Sequence, residues 1–100
     1  MVKHMIIWKL KPMEEEKLEA QKKLVKENLE GLVGVVPGLT YMNIQIDNMS
    51  SSVGDMLMDS TFENAEALKG YKDHPAHVRV ADTYIRPYIE TRLCIDYEQE

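Results

Sequence analysis

The chain has 100 residues, 44% of them hydrophobic and 29% charged, with a net charge of −5 at pH 7. This length suits one domain over residues 1–100, and the composition argues against disorder. The negative balance speaks against a nucleic-acid partner, which needs clustered Lys and Arg, and no apolar run approaches the roughly 20 residues of a membrane span.

Lys3 to Leu10 predicts a first strand, with His4, Ile6, Trp8 and Leu10 on one face and Met5 and Ile7 on the other. Pro12 ends it. A helix is expected from about Met13 to Val33, opened by Glu14, Glu15 and Glu16, which suit the positive end of a helix. Its apolar stripe is Leu18, Val25, Leu29 and Leu32, widened by Leu24 and Val33. Lys22, Lys23 and Lys26, interleaved with Glu19, Glu27 and Glu30, read as a solvated helix face. Gly31 and Gly34 mark the fraying end, and Pro37-Gly38 makes a turn.

A second strand is predicted over Leu39 to Ile46, a polar loop over Asp47 to Gly54, and a third strand over Asp55 to Thr61. Asn64 can cap a second helix that stops near Tyr71, because His74 precedes Pro75 and is biased away from the helical region. A short helix resumes over about Ala76 to Tyr84, Pro87 closes it, and a last strand runs from Ile89 to Tyr97. The order β-α-β-β-α-β is the ferredoxin-like split arrangement, an α+β sandwich. Two helices cover only one face of a four-stranded sheet, yet the first strand is apolar on both. A second copy of the chain, packed sheet to sheet, is the economical cover for the other face.

Cys94 stands alone, which precludes an intrachain disulfide and suits a reducing compartment; a cytoplasmic protein is expected. Met5-Ile6-Ile7-Trp8 is too short for the apolar core of a signal peptide. Flanked by Leu93 and Ile95, Cys94 reads as a small core residue, and the acid beside it, Asp96, would raise its pKa.

The segment with chemical content is Tyr71-Lys72-Asp73-His74-Pro75-Ala76-His77, which sets two of the three histidines and a tyrosine around a helix-breaking proline. Histidine and tyrosine together can remove a proton from carbon and stabilise an enolate oxygen. His77 is the candidate base and Tyr71 the candidate donor. The alternative is that His77 caps backbone groups and Tyr71 only packs. His74, His4, Trp8 and Met56 are candidate binding residues, while turn-fixing for His74, a buried hydrogen-bonded imidazole for His4 and core filling for Met42, Met56 and Met58 stay open beside that. A metal set drawn from His4, His74 and His77 with Asp73 or Asp82 is conceivable in composition. The proline spoils the helical spacing such a set needs, so no metal and no cofactor are expected.

His4 in a strand ending Lys9-Leu10-Lys11-Pro12, Pro37-Gly38 before the second strand, Phe62, Ala67-Leu68, Tyr71-x-x-His74-Pro75-x-His77 and a closing Asp96-Tyr97 make the chain similar to the stress-responsive dimeric α/β-barrel (Dabb) family. The likeness runs from about Val2 to Tyr97. It implies a homodimer whose two sheets face each other as a barrel, with a small cavity in each subunit, which Met42, Met56 and Met58 could shape for an apolar or aromatic molecule. A plant branch of the family resembles polyketide cyclases, which close linear poly-β-keto chains by aldol condensation without a cofactor. In that branch the tyrosine and second histidine of the motif act in the pocket, roles that fall to Tyr71 and His77, with His4 lining the same cavity. The chain departs from the branch in the third strand, where Met56 stands in place of a pocket histidine. The resemblance therefore allows three readings: a binding protein without turnover, a cofactor-independent cyclase or isomerase, and a purely structural dimer.

Overall fold

A computed structural model describes residues 1–100. Val2–Leu10 forms β1, Glu15–Glu30 α1, Leu39–Gln45 β2, Met56–Phe62 β3, Ala65–Asp73 α2, Pro75–Val80 α3 and Ile89–Glu98 β4. Beyond α3 the chain runs through a π turn at Ala81–Ile85 and a 3-10 turn at Arg86–Tyr88. The four strands make one antiparallel sheet in the order β2-β3-β1-β4. That is the expected ferredoxin-like α+β fold.

Strand alternation divides β1 as its sequence suggests. Val2, His4, Ile6, Trp8 and Leu10 are buried under the helices, joined by Met56, Met58 and Phe62 of β3 and by Val25, Leu29 and Leu32 of the first helical segment. The other face has no helix over it. There Ile7, Leu93 and Ile95 are 46%, 63% and 66% exposed, a continuous apolar strip across β1 and β4. An uncovered apolar sheet face of this kind marks an interaction surface.

Two features of α1 differ from the expected pattern. Leu24 is exposed, and the helix ends at Glu30, which leaves Val33 exposed in the turns beyond it, so the buried stripe is narrower than the hydrophobic residues alone suggest. The lysine cluster is also not simply solvated. Lys22 is buried and its ammonium donates to the Ile46 carbonyl at 3.3 Å, while Lys26 donates to the Ile44 carbonyl at 2.8 Å. Glu30 pairs with Lys26 and accepts from the Ile44 amide at 2.9 Å. β2 lies at the edge of the sheet, and these side chains satisfy backbone groups that would otherwise lack partners.

The turn into β2 depends on Gly38, whose φ of +80° is in the left-handed region. A Cβ there would also lie 2.4 Å from the Ala67 Cβ of α2. Gly38→Ala is therefore expected to destabilise the fold by about 2–4 kcal/mol, from the left-handed backbone and the overpacking together. Urea unfolding reads this directly; an unchanged midpoint contradicts it.

Candidate functional site

The break between α2 and α3 builds the site. Pro75 forces His74 into extended backbone at φ −65° and ψ 131°, and the His74 Nδ1 accepts from the Ala76 amide at 3.1 Å to cap α3. On an unbroken helix, residues six apart lie well off the same face. The break instead brings the rings of Tyr71 and His77 to 4.0 Å between centroids. Tyr71 also meets Phe62 and His4 edge-on, at 5.0 and 6.2 Å.

Between these rings and the sheet lies a cavity of about 560 Å³, lined by His4, Ile6, Trp8, Met58, Tyr71 and His77 among others. The π turn contributes Ala81 and Ile85 to its wall, followed by Arg86. An extra residue in a helical turn redirects side chains in this way, often beside a site.

Both imidazoles are held in one tautomer. His77 Nδ1 lies 3.2 Å from the Lys72 carbonyl, which can only accept, so Nδ1 carries the proton and Nε2 keeps its lone pair. His4 Nδ1 meets the Asp96 carboxylate, its partner across the β1–β4 pair, in a short hydrogen bond. Burial lowers the pKa of His77, helped by the Arg86 and Arg92 charges and opposed by the Lys72 carbonyl. Burial also lowers that of His4, against the pull of Asp96. Burial alone would raise the Asp96 carboxyl, but hydrogen bonds from His4 and Cys94, with Lys72 nearby, outweigh it and hold the group ionised. Burial pushes Tyr71 well above the usual phenol range, so it is a donor and not a base. Although Tyr71 is only 1% exposed, its hydroxyl makes no hydrogen bond to another protein group.

The unfolded chain takes up protons on these histidines as pH falls through the ordinary 6.5, while the folded cavity resists doing so. Their contribution to stability is therefore intact above pH 6.5 and lost as pH falls below it towards the lowered folded values. Urea unfolding at pH 7.5 and 5.5 should show that loss, reduced in His77→Asn; a stability equal at both pH values contradicts it.

Of the residues singled out in the sequence, the cavity thus gathers His4, Trp8, Tyr71 and His77. His74 is outside its lining, at the cap of α3. Met56 is also outside: paired with Trp8 at the end of β1, it is buried in the core on the helix side, and Met58 faces the cavity instead. Cys94 is exposed and not in the core. It shares the helix-side face of β4 with Arg92 and Asp96, over which no helix passes, and burial together with Asp96 raises its pKa. Asp96, Arg92, Lys72 and Arg86 are the residues whose place here the sequence did not reveal. His4 Nδ1, Cys94 Sγ and Asp96 Oδ1 lie within 4.8 Å of one another, the one donor set a metal ion could use. His4 and Asp96 are bonded to each other, however, and an ion would have to part them.

The model of the stress responsive A/B barrel domain matches residues 2–99. The chain belongs to the stress-responsive A/B barrel family. Within reach of it is olivetolic acid cyclase of Cannabis sativa, 33% identical over 99 residues, which cover 96% of this chain and 94% of that one. A dimeric protein of unknown function with a ferredoxin-like fold from Bacteroides fragilis superposes with a TM-score of 0.91 at 25% identity, covering 98% of this chain and 95% of the other. A protein of Arabidopsis thaliana superposes with a TM-score of 0.77 at 27% identity, covering 100% and 96%. No helix of the chain is long and apolar enough to cross a membrane.

Proposed function

We propose that this family member binds a small, largely apolar carbonyl compound in its cavity and closes it to a ring by a cofactor-independent, aldol-type reaction. The observation that carries the reading is the convergence of His4, Tyr71 and His77 on one cavity. His77 Nε2 takes a proton from the carbon between two carbonyls, and the Tyr71 hydroxyl donates to the enolate oxygen that forms. The enolate carbon attacks a second carbonyl of the same molecule, making the new carbon–carbon bond. The oxygen of that carbonyl takes the proton back from His77. His4, oriented by Asp96, offers a second acceptor to an enol or hydroxyl. Met58 faces the cavity from β3 and brings no ionisable group, so the acid–base work rests on β1, α2 and α3. The likeness to a cyclase over nearly the whole chain supports the same chemistry.

Two copies pair through the open sheet faces, a reading supported by the exposed strip of Ile7, Leu93 and Ile95 and by the dimeric state named for structural relatives.

Proton abstraction is tested without the natural substrate by NMR, following deuterium uptake at the methylene carbons between the carbonyls of a tri-β-keto ester in D₂O. Exchange accelerated by the protein and lost in His77→Ala is the expected result. A rate equal to the buffer background contradicts the reading.

A further inference from the structure

Three cations, Lys72, Arg86 and Arg92, line the cavity against one anion, Asp73, although the chain as a whole carries a net charge of −5. Two of the cations have acidic partners: Lys72 lies 3.8 Å from an Asp96 oxygen, and Arg86 pairs with Asp82 one helical turn away. Arg92 has none. It sits on β4 directly across from Trp8, on the side of the sheet that faces the helices. Its charge lowers the pKa of His4, Tyr71 and His77 alike, so its field covers the whole group of reacting side chains.

Arg92 is itself exposed, but its unpaired guanidinium borders a cavity walled by Ile6, Trp8, Met58 and Ile85, as no other unpaired cation of this chain does. Its planar fork matches a carboxylate, and the low-dielectric wall strengthens that contact relative to open water. We propose that Arg92 is the anchor for a carboxylate on the ligand, so that the cavity selects an aromatic or keto acid over its neutral counterpart. Arg86 adds to the field, but its guanidinium is already engaged by Asp82. This rests on the reading of the cavity as a ligand site, and adds to it which ligands are preferred and which residue makes the choice.

The chain has a single tryptophan, Trp8, and it lines the cavity, so its fluorescence reports occupancy. The probes are 2,4-dihydroxybenzoate and resorcinol, which differ by the carboxylate alone. The wild-type protein is expected to bind the acid about tenfold or more tightly than resorcinol, as one charge-assisted contact allows. Arg92→Gln should bind resorcinol as before and lose the preference. Arg79→Gln removes the same charge from outside the cavity lining and should keep it. Rising ionic strength should narrow the difference in the wild type and in Arg79→Gln, and have no preference to narrow in Arg92→Gln. If both probes bind equally to the wild type, or if Arg92→Gln keeps the preference, the anchor is wrong while the ligand site stands. If neither probe binds, the ligand site itself fails, and the anchor with it.

Discussion

Tyr71→Phe should leave the protein as stable as the wild type and slow ring closure by about 10²–10³-fold, the usual loss when one preorganised donor to an oxyanion is removed. The two halves of that expectation have separate origins. The ring of Tyr71 packs against Phe62, His4 and His77, and phenylalanine keeps all three contacts. The hydroxyl has no protein partner, so its removal leaves nothing unsatisfied, and a change within about 0.5 kcal/mol is expected. His77→Ala should cost more, about 10²–10⁴-fold for a general base, with some loss of packing against Tyr71. Because the imidazole is already neutral at pH 7, activity should plateau there and fall as pH drops through its lowered pKa. Steady-state kinetics and urea unfolding on the same preparations separate these effects. A Tyr71→Phe variant with full activity would remove the donor from the mechanism, and one with reduced stability would show the hydroxyl to be structural.

Leu93→Asp with Ile95→Asp should turn a dimer into a monomer at micromolar concentration. Both side chains are more than half exposed on the face without helices, beside Ile7 across the β1–β4 pair. Burying a Leu or Ile contributes about 1.5–3 kcal/mol, and two-fold symmetry counts each position twice. One substitution thus weakens association by roughly 10²–10⁴-fold, before the cost of burying a carboxylate. Light scattering after gel filtration gives the mass. The cavity lies on the opposite side of the sheet and within one subunit, so a folded monomer should still bind the aromatic acid. A double variant that stays dimeric places the interface elsewhere.

How far the sequence revealed these features follows from the range of the contacts involved. Alternation in β1 and the proline after His74 act locally, and both the fold and the meeting of Tyr71 with His77 could be anticipated from them. The His4–Asp96 pair joins residues 92 apart, and only the pairing of the first strand with the last brings them together. Arg92 was hidden for the same reason: its phase in β4 depends on that register. Met56 and Met58 share a face of β3, and nothing local says that the cavity opens over the middle of β1 and not over its end. The lysines of α1 looked solvated because their partners are backbone carbonyls of an edge strand, which leave no mark in the residue pattern.

The measurement that bears most directly on the whole account is the cyclisation of a linear poly-β-keto thioester, with products resolved by mass and retention against the spontaneous background. The expected result is a ring-closed product formed faster with the wild type than in buffer, sharply reduced with Tyr71→Phe and His77→Ala, and unaffected by Arg79→Gln. A product profile identical with and without the protein, while the aromatic acid still binds, would contradict catalysis and leave a binding protein.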